Sequence, residues 1–136
     1  MKKLLLFLGI VCLALCSCKK DSPVGVKNGI YISIIPMPTD FGRVSTAYPK
    51  NLEFIFGDSS LSAGKLTGSV SLPGDPYYTV VSGGTFSLNP GQYDSCIVKF
   101  APLVAGHYPV NLTISHNGEN SPAILPLVGD AYTESP

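Results

Sequence analysis

The chain has 136 residues, 45% of them hydrophobic and 13% charged, and its nine basic side chains balance nine acidic ones. That length supplies one domain. Charge in balance, with no basic cluster, excludes a nucleic-acid partner, because affinity for phosphates rests on grouped Lys and Arg.

The first predicted element is a leader. Met1-Lys2-Lys3 is followed by Leu4 to Leu15 without a charge. A membrane-crossing helix needs about 20 apolar residues. A shorter apolar run behind a basic start reads as the core of a secretory signal peptide. The run ends Leu15-Cys16-Ser17-Cys18, which resembles the bacterial lipobox: an aliphatic residue, here Leu15, three positions before the cysteine, and a small one, here Ser17, directly before it. The resemblance implies cleavage after Ser17 and a lipid on Cys18. Cys16 fits less well, because Leu15 would then take the small-residue position. The Lys19-Lys20-Asp21 stretch is similar to the export signal of Bacteroides-type lipoproteins, which implies the outer face of the outer membrane, with a periplasm-facing position as the alternative. The expected organisation is a signal peptide over residues 1–17, a lipidated tether over 18–29, a folded domain over 30–132 and a tail over 133–136.

Removing 17 of the 136 residues leaves 119, and with Lys2 and Lys3 gone seven basic residues face nine acidic ones. Cys96 is the one cysteine left inside the folded part, so no disulfide is expected within it, and stability must come from a hydrophobic core.

Past the tether, Gly and Pro punctuate the chain at intervals and apolar residues alternate with polar ones, the signature of half-buried strands. Expected strands run Ile30 to Ile35, around Phe41, Leu52 to Phe56, Leu66 to Leu72, Tyr77 to Val81, Phe86 to Leu88, Cys96 to Phe100, Tyr108 to Ser115 and Ala123 to Val128. Tyr108, Val110, Leu112 and Ile114 should share one face, and Cys96, Val98 and Phe100 another. Pro109 cannot donate a ladder hydrogen bond, so it should lie at an edge or at a strand's beginning. Spacing of about ten residues predicts an all-β, immunoglobulin-like antiparallel sandwich of seven to eight strands. A closed barrel is the other arrangement compatible with the pattern.

Five motifs in order carry a family resemblance. Asp40-Phe41-Gly42-Arg43-Val44, Phe86-Ser87-Leu88-Asn89-Pro90-Gly91-Gln92, Val98-Lys99-Phe100-Ala101-Pro102, Ala105-Gly106-His107-Tyr108 with Leu112-Thr113-Ile114-Ser115, and Pro126-Leu127-Val128-Gly129-Asp130-Ala131 together resemble the hydin-like (ASH-type, or choice-of-anchor) immunoglobulin-like domains. The resemblance spans about Tyr31 to Tyr132. It implies that Phe41, Phe100 and Leu127 fill the sandwich and that Gly91 and Gly106 permit tight connections. The chain departs from the family at Phe56-Gly57-Asp58, where an N-x-G sequence is common. The family brings structural or protein-binding roles and no catalytic residues.

Candidate chemistry is sparse. A reactive thiolate needs exposure and a cationic neighbour, whereas Cys96 shares a face with Val98 and Phe100 and is expected to be buried. His107 and His116 are nine residues apart and, on one strand at about 3.3 Å per residue, nearly 30 Å from each other, too far to share an ion. Asp40, Asp58, Asp75, Asp94 and Asp130 sit near turns, where Asp bonds its own backbone; no two have calcium-loop spacing. Tyr77 and Tyr93 are the candidate ligand contacts, since exposed tyrosines combine an apolar body with a polar tip. No metal, cofactor or catalytic residue is expected. The expected function is a membrane-anchored, non-enzymatic module for protein interaction, adhesion or envelope assembly. The alternative is a glycan-binding accessory lipoprotein of an outer-membrane polysaccharide uptake system.

Overall fold

The computed structural model of the protein describes residues 29–35, 37–59 and 62–136. The signal peptide, Cys18 and all of the tether but its last residue lie outside the described residues. Among the described residues nine strands follow one another: β1 (Ile32–Ile34), β2 (Asp40–Ser45), β3 (Lys50–Asp58), β4 (Leu66–Ser71), β5 (Tyr78–Ser82), β6 (Thr85–Leu88), β7 (Tyr93–Phe100), β8 (Gly106–His116) and β9 (Ala123–Tyr132). They form a four-stranded sheet in the order β1-β3-β7-β5 and a five-stranded sheet in the order β2-β9-β8-β4-β6. The sandwich architecture expected from alternation is the one observed.

Two details differ from the expectation. Among the described residues nine strands form rather than seven or eight, because each of the nine extended segments, the short ones around Phe41 and at Phe86 to Leu88 included, pairs as a strand of its own. The sandwich also has one parallel pair, β2 with β9. The cause is the link between β1 and β2. β1 and β2 lie in different sheets yet share one heading, which is also the heading of β9.

The core is built by the alternation. Leu112 and Ile114 of β8 are buried while Asn111 and Ser115 are exposed, and Cys96, Val98 and Phe100 of β7 are buried with them. Phe41, Phe56, Phe100 and Leu127 rank among the largest fully buried side chains. Each full burial of this kind contributes about 1.5–3 kcal/mol before entropy is counted. Aromatic rings concentrate at one end. Tyr78 stacks on Phe100 at 4.5 Å, Phe41 sits 5.5 Å from both, and Tyr108 lies 5.6 Å from Phe100. The Tyr78 hydroxyl donates to the Tyr108 carbonyl at 2.7 Å. Burial, and secondarily Asp75, raises the Tyr78 phenol above its ordinary value, so it stays protonated and keeps donating.

Gly91 meets its expected role, with φ of 82° in the turn ahead of β7. Gly106 does not: its φ is not positive, and it begins β8 beside the Tyr108 ring, 3.4 Å from where a Cβ would stand.

Strand directions give the sandwich two poles. Gly29 and Ile30 lead into β1 at the N-terminal pole, where β3 ends, β4 begins and the connections 89–92 and 117–122 turn. The connections 46–49, 72–77 and 101–105 turn at the far pole, where β9 also ends.

Candidate functional site

The residues singled out in the sequence are dispersed. Tyr77 stands just before β5 at the far pole, half-buried, its ring edge-on to Tyr108 at 5.0 Å. Tyr93 opens β7 near the N-terminal pole and is 58% exposed. Tyr78 pairs with Phe100 at the other end of β7, so at about 3.3 Å per residue the two candidate contacts are some 20 Å or more apart. They do not form one platform. Tyr77 belongs to the aromatic cluster, and Tyr93 lies over Gly57 on the outer face of the four-stranded sheet.

Cys96 is fully buried, and its thiol is pushed up to about 11, first by burial and then by the Asp94 carboxylate. Such a thiol is protonated at neutral pH and behaves as a small apolar group. His107 and His116 occupy the two ends of β8. His107 Nδ1 meets Asp130 Oδ1 at 2.6 Å on the exposed face, opposite in register. Asp130 is also opposite Arg43 of β2, so a charged row crosses three strands there. His116 turns inward at the N-terminal pole. Its Nδ1 accepts from the Gly118 N–H at 3.1 Å, and its Nε2 is buried without a partner. Burial lowers the His116 imidazole below its ordinary value, with the nearby Asn120 backbone working the other way. Among the described residues, no three His, Cys, Asp or Glu side chains gather as a metal site would require.

The far pole carries what sequence patterning missed. Leu103 is 76% exposed, Val104 60% and Tyr48 68%. Each is held by a local device. In the loop 101–105, Pro102 is buried, the Ala101 N–H donates to Tyr77 at 2.8 Å, and the Tyr108 hydroxyl donates to the Val104 carbonyl at 2.8 Å. In the loop 46–49, the Ser45 side chain accepts from Ala47 and its carbonyl accepts from Tyr48, both at 3.1 Å, while the Thr46 N–H ties the turn to Tyr132 at 3.0 Å. The apolar tips therefore stand on fixed backbone, which lowers the ordering cost of a contact. Tyr48, Leu103 and Val104 thus share one pole of the sandwich as large exposed apolar groups. The signal that could have found them is the run Leu103-Val104-Ala105, apolar yet outside any alternating strand.

No family model matches the chain, and no curated protein matches it. Solved structures do. An ASH/PapD-like domain of human CEP192 (PapD-like domain 7) superposes with a TM-score of 0.57 at 11% identity, over 83% of this chain and 93% of that one. A protein of unknown function from Porphyromonas gingivalis gives 0.56 at 19% identity, over 82% of this chain and 50% of the other. A family 123 glycoside hydrolase from Clostridium perfringens gives 0.57 at 8% identity; this chain spans 77% of itself and 28% of that enzyme. At these identities the likeness is one of fold, and the fold of this chain is the immunoglobulin-like β-sandwich seen in ASH and PapD-like domains.

Proposed function

We propose that the chain is a lipid-anchored, non-catalytic binding module of a bacterial cell envelope, which docks an envelope protein on its far pole. In this reading Cys18 carries the lipid, the following residues form a short tether, and the module faces outward from the outer membrane. The observation that carries it is polarity. The described chain begins at one pole, and Tyr48, Leu103 and Val104 project from the other. A tether at the first pole holds the second away from the lipid surface and free to meet a partner. The buried, protonated Cys96 and the separation of His107 from His116 support a module without catalytic groups.

Three measurements on cells test this. An alkyne fatty acid should label the wild-type chain and fail to label Cys18→Ala. Protease added to intact cells should remove the domain; survival until the outer membrane is opened would place it on the periplasmic side. A photo-crosslinker at Leu103 should join one defined envelope protein, and the same group at Gln92, on the N-terminal pole, should not. Equal crosslinking from both positions would end the docking reading while leaving the anchor intact.

A further inference from the structure

The outer face of the five-stranded sheet has a chemistry of its own. Ser69 of β4 stands opposite Thr85 of β6 on one side and Ser115 of β8 on the other. Thr67 faces Ser87, and Ser71 faces Thr113. These outward positions carry hydroxyls only, spaced by about 4.8 Å across strands and about 6.8 Å along them. Beyond β8, β9 adds apolar groups: Ile124, 50% exposed, is opposite Thr113, and Pro126 is opposite Asn111. The charged row of Arg43, Asp130 and His107 borders this field toward the far pole.

Between the hydroxyl rows and the charged row the face deepens into a groove of about 430 Å³. Its walls include Pro73 and Asp75 on one side and Pro109 and Pro126 on the other, with Asn111 between them. The groove exists because the β4–β8 ladder stops at Ser71 and Thr113. The chain then turns at Pro73-Gly74, where Gly74 has φ of 86°, and leaves for the other sheet. Pro109 to Asn111 keep β9 as their neighbour and face the gap on the other side. Val128, opposite Pro109, gives its N–H to Thr39 on the β2 side. Pro109 therefore lies at a non-bonded position of the β8–β9 ladder, and its missing donor faces the gap. A proline there blunts the edge against an added strand, which counts against an extended peptide as the occupant.

The lining charge also selects. Among the described residues that line the groove, Asp75 is the one ionisable side chain and none is a cation. One Asp75 oxygen, Oδ1, accepts from the Tyr77 N–H at 2.8 Å, which holds the carboxylate in place. An anionic ligand seated in the groove would meet this carboxylate with no cation in the lining to offset it. What fits is uncharged, with an apolar flank for the proline rings and a polar rim for Asn111, Asp75 and the hydroxyl rows. We infer that this face binds a neutral glycan, with one sugar seated in the groove between Pro73, Pro109 and Pro126 and the adjoining units lying along the Ser71–Thr113 and Ser69–Ser115 rows. The site shares the 72–77 connection with the far pole, but Tyr48, Leu103 and Val104 do not line it, and it stands or falls without those three.

The test uses the full chain in detergent micelles, run through native gels containing starch, β-glucan, mannan or xylan, with alginate and heparin as charged controls. At least one neutral polysaccharide should retard the protein. Asn111→Ala and Ser71→Lys, both on the exposed face, should weaken that retardation at least tenfold with an unchanged unfolding midpoint, and Leu103→Asp at the far pole should leave it intact. The inference is overturned if none of the four neutral polymers retards the chain, if only the polyanions do, if both face variants bind as the wild type does, or if Leu103→Asp abolishes binding.

Discussion

The Tyr93 ring lies across Gly57 on the neighbouring strand so closely that a Cβ at position 57 would stand 2.5 Å from Tyr93 Cδ1 and 2.7 Å from the Gln92 carbonyl. The two residues are paired in register, so the contact follows from the ladder itself. A side chain at position 57 would displace the tyrosine. Gly57→Ala should cost about 1–3 kcal/mol, the usual range for forcing atoms into a filled site. Urea unfolding checks this. Tyr93→Ala in the same background should recover part of the loss, because it removes the ring the new methyl meets. No recovery would place the strain on the Gln92 backbone instead.

Asp58 is fully buried at the end of β3. Its Oδ2 accepts from the Leu66 N–H at 3.1 Å, while Oδ1 has no partner. The bond joins the two ends of the β3–β4 connection across the sandwich. Asp58→Ala should destabilise by about 1–3 kcal/mol, because the Leu66 donor is left unpaired in the interior. Asp58→Asn retains an acceptor for Leu66 and should unfold close to the wild type. Equal losses in the two variants would show that the carboxylate, rather than its single bond, matters.

His116 supplies a pH dependence. Burial holds its folded-state imidazole below the ordinary value near 6.5. Protons then bind the unfolded chain more readily than the folded one. This contribution to stability is complete above about pH 6.5 and declines as pH falls below it. Unfolding midpoints taken from pH 8 to pH 5 should fall for the wild type. The fall should be smaller in His116→Asn, whose side-chain oxygen can still accept from Gly118. A profile unchanged by the substitution would mean that the decline comes from carboxylates.

Cys96 gives a kinetic check on the packing of β7. In a chain with Cys12, Cys16 and Cys18 replaced by serine, the remaining thiol is buried and raised to about 11. A maleimide or aromatic disulfide reagent should react with it at the rate of global opening. Urea should accelerate labelling in step with unfolding. Fast labelling in native buffer would contradict the burial of this face.

Much of this molecule is determined locally. Alternation along Tyr108 to Ile114 and along Cys96 to Phe100 marks the buried face, because a strand turns every second side chain inward. The fate of Cys96, the two ends of β8 for His107 and His116, and the turn at Gly91 follow from that same period and from turn chemistry. The leader and the lipid proposed on Cys18 rest on the sequence alone and lie outside the described residues.

The tertiary structure decided what depends on strands far apart in the chain. The parallel pairing of β2 with β9 depends on how the chain crosses between sheets, and no periodicity encodes a crossing. Tyr77 and Tyr93 look equivalent as residues, yet strand direction sends them to opposite poles. Leu103 and Tyr48 share a pole because two loops more than fifty residues apart end on the same side. Asn111, Pro73 and Pro126 enclose one groove because β4 stops short of the strand it pairs with. The physical reason is common to all four. The alternating pattern fixes which way a side chain faces, while register and the path between sheets fix what it faces.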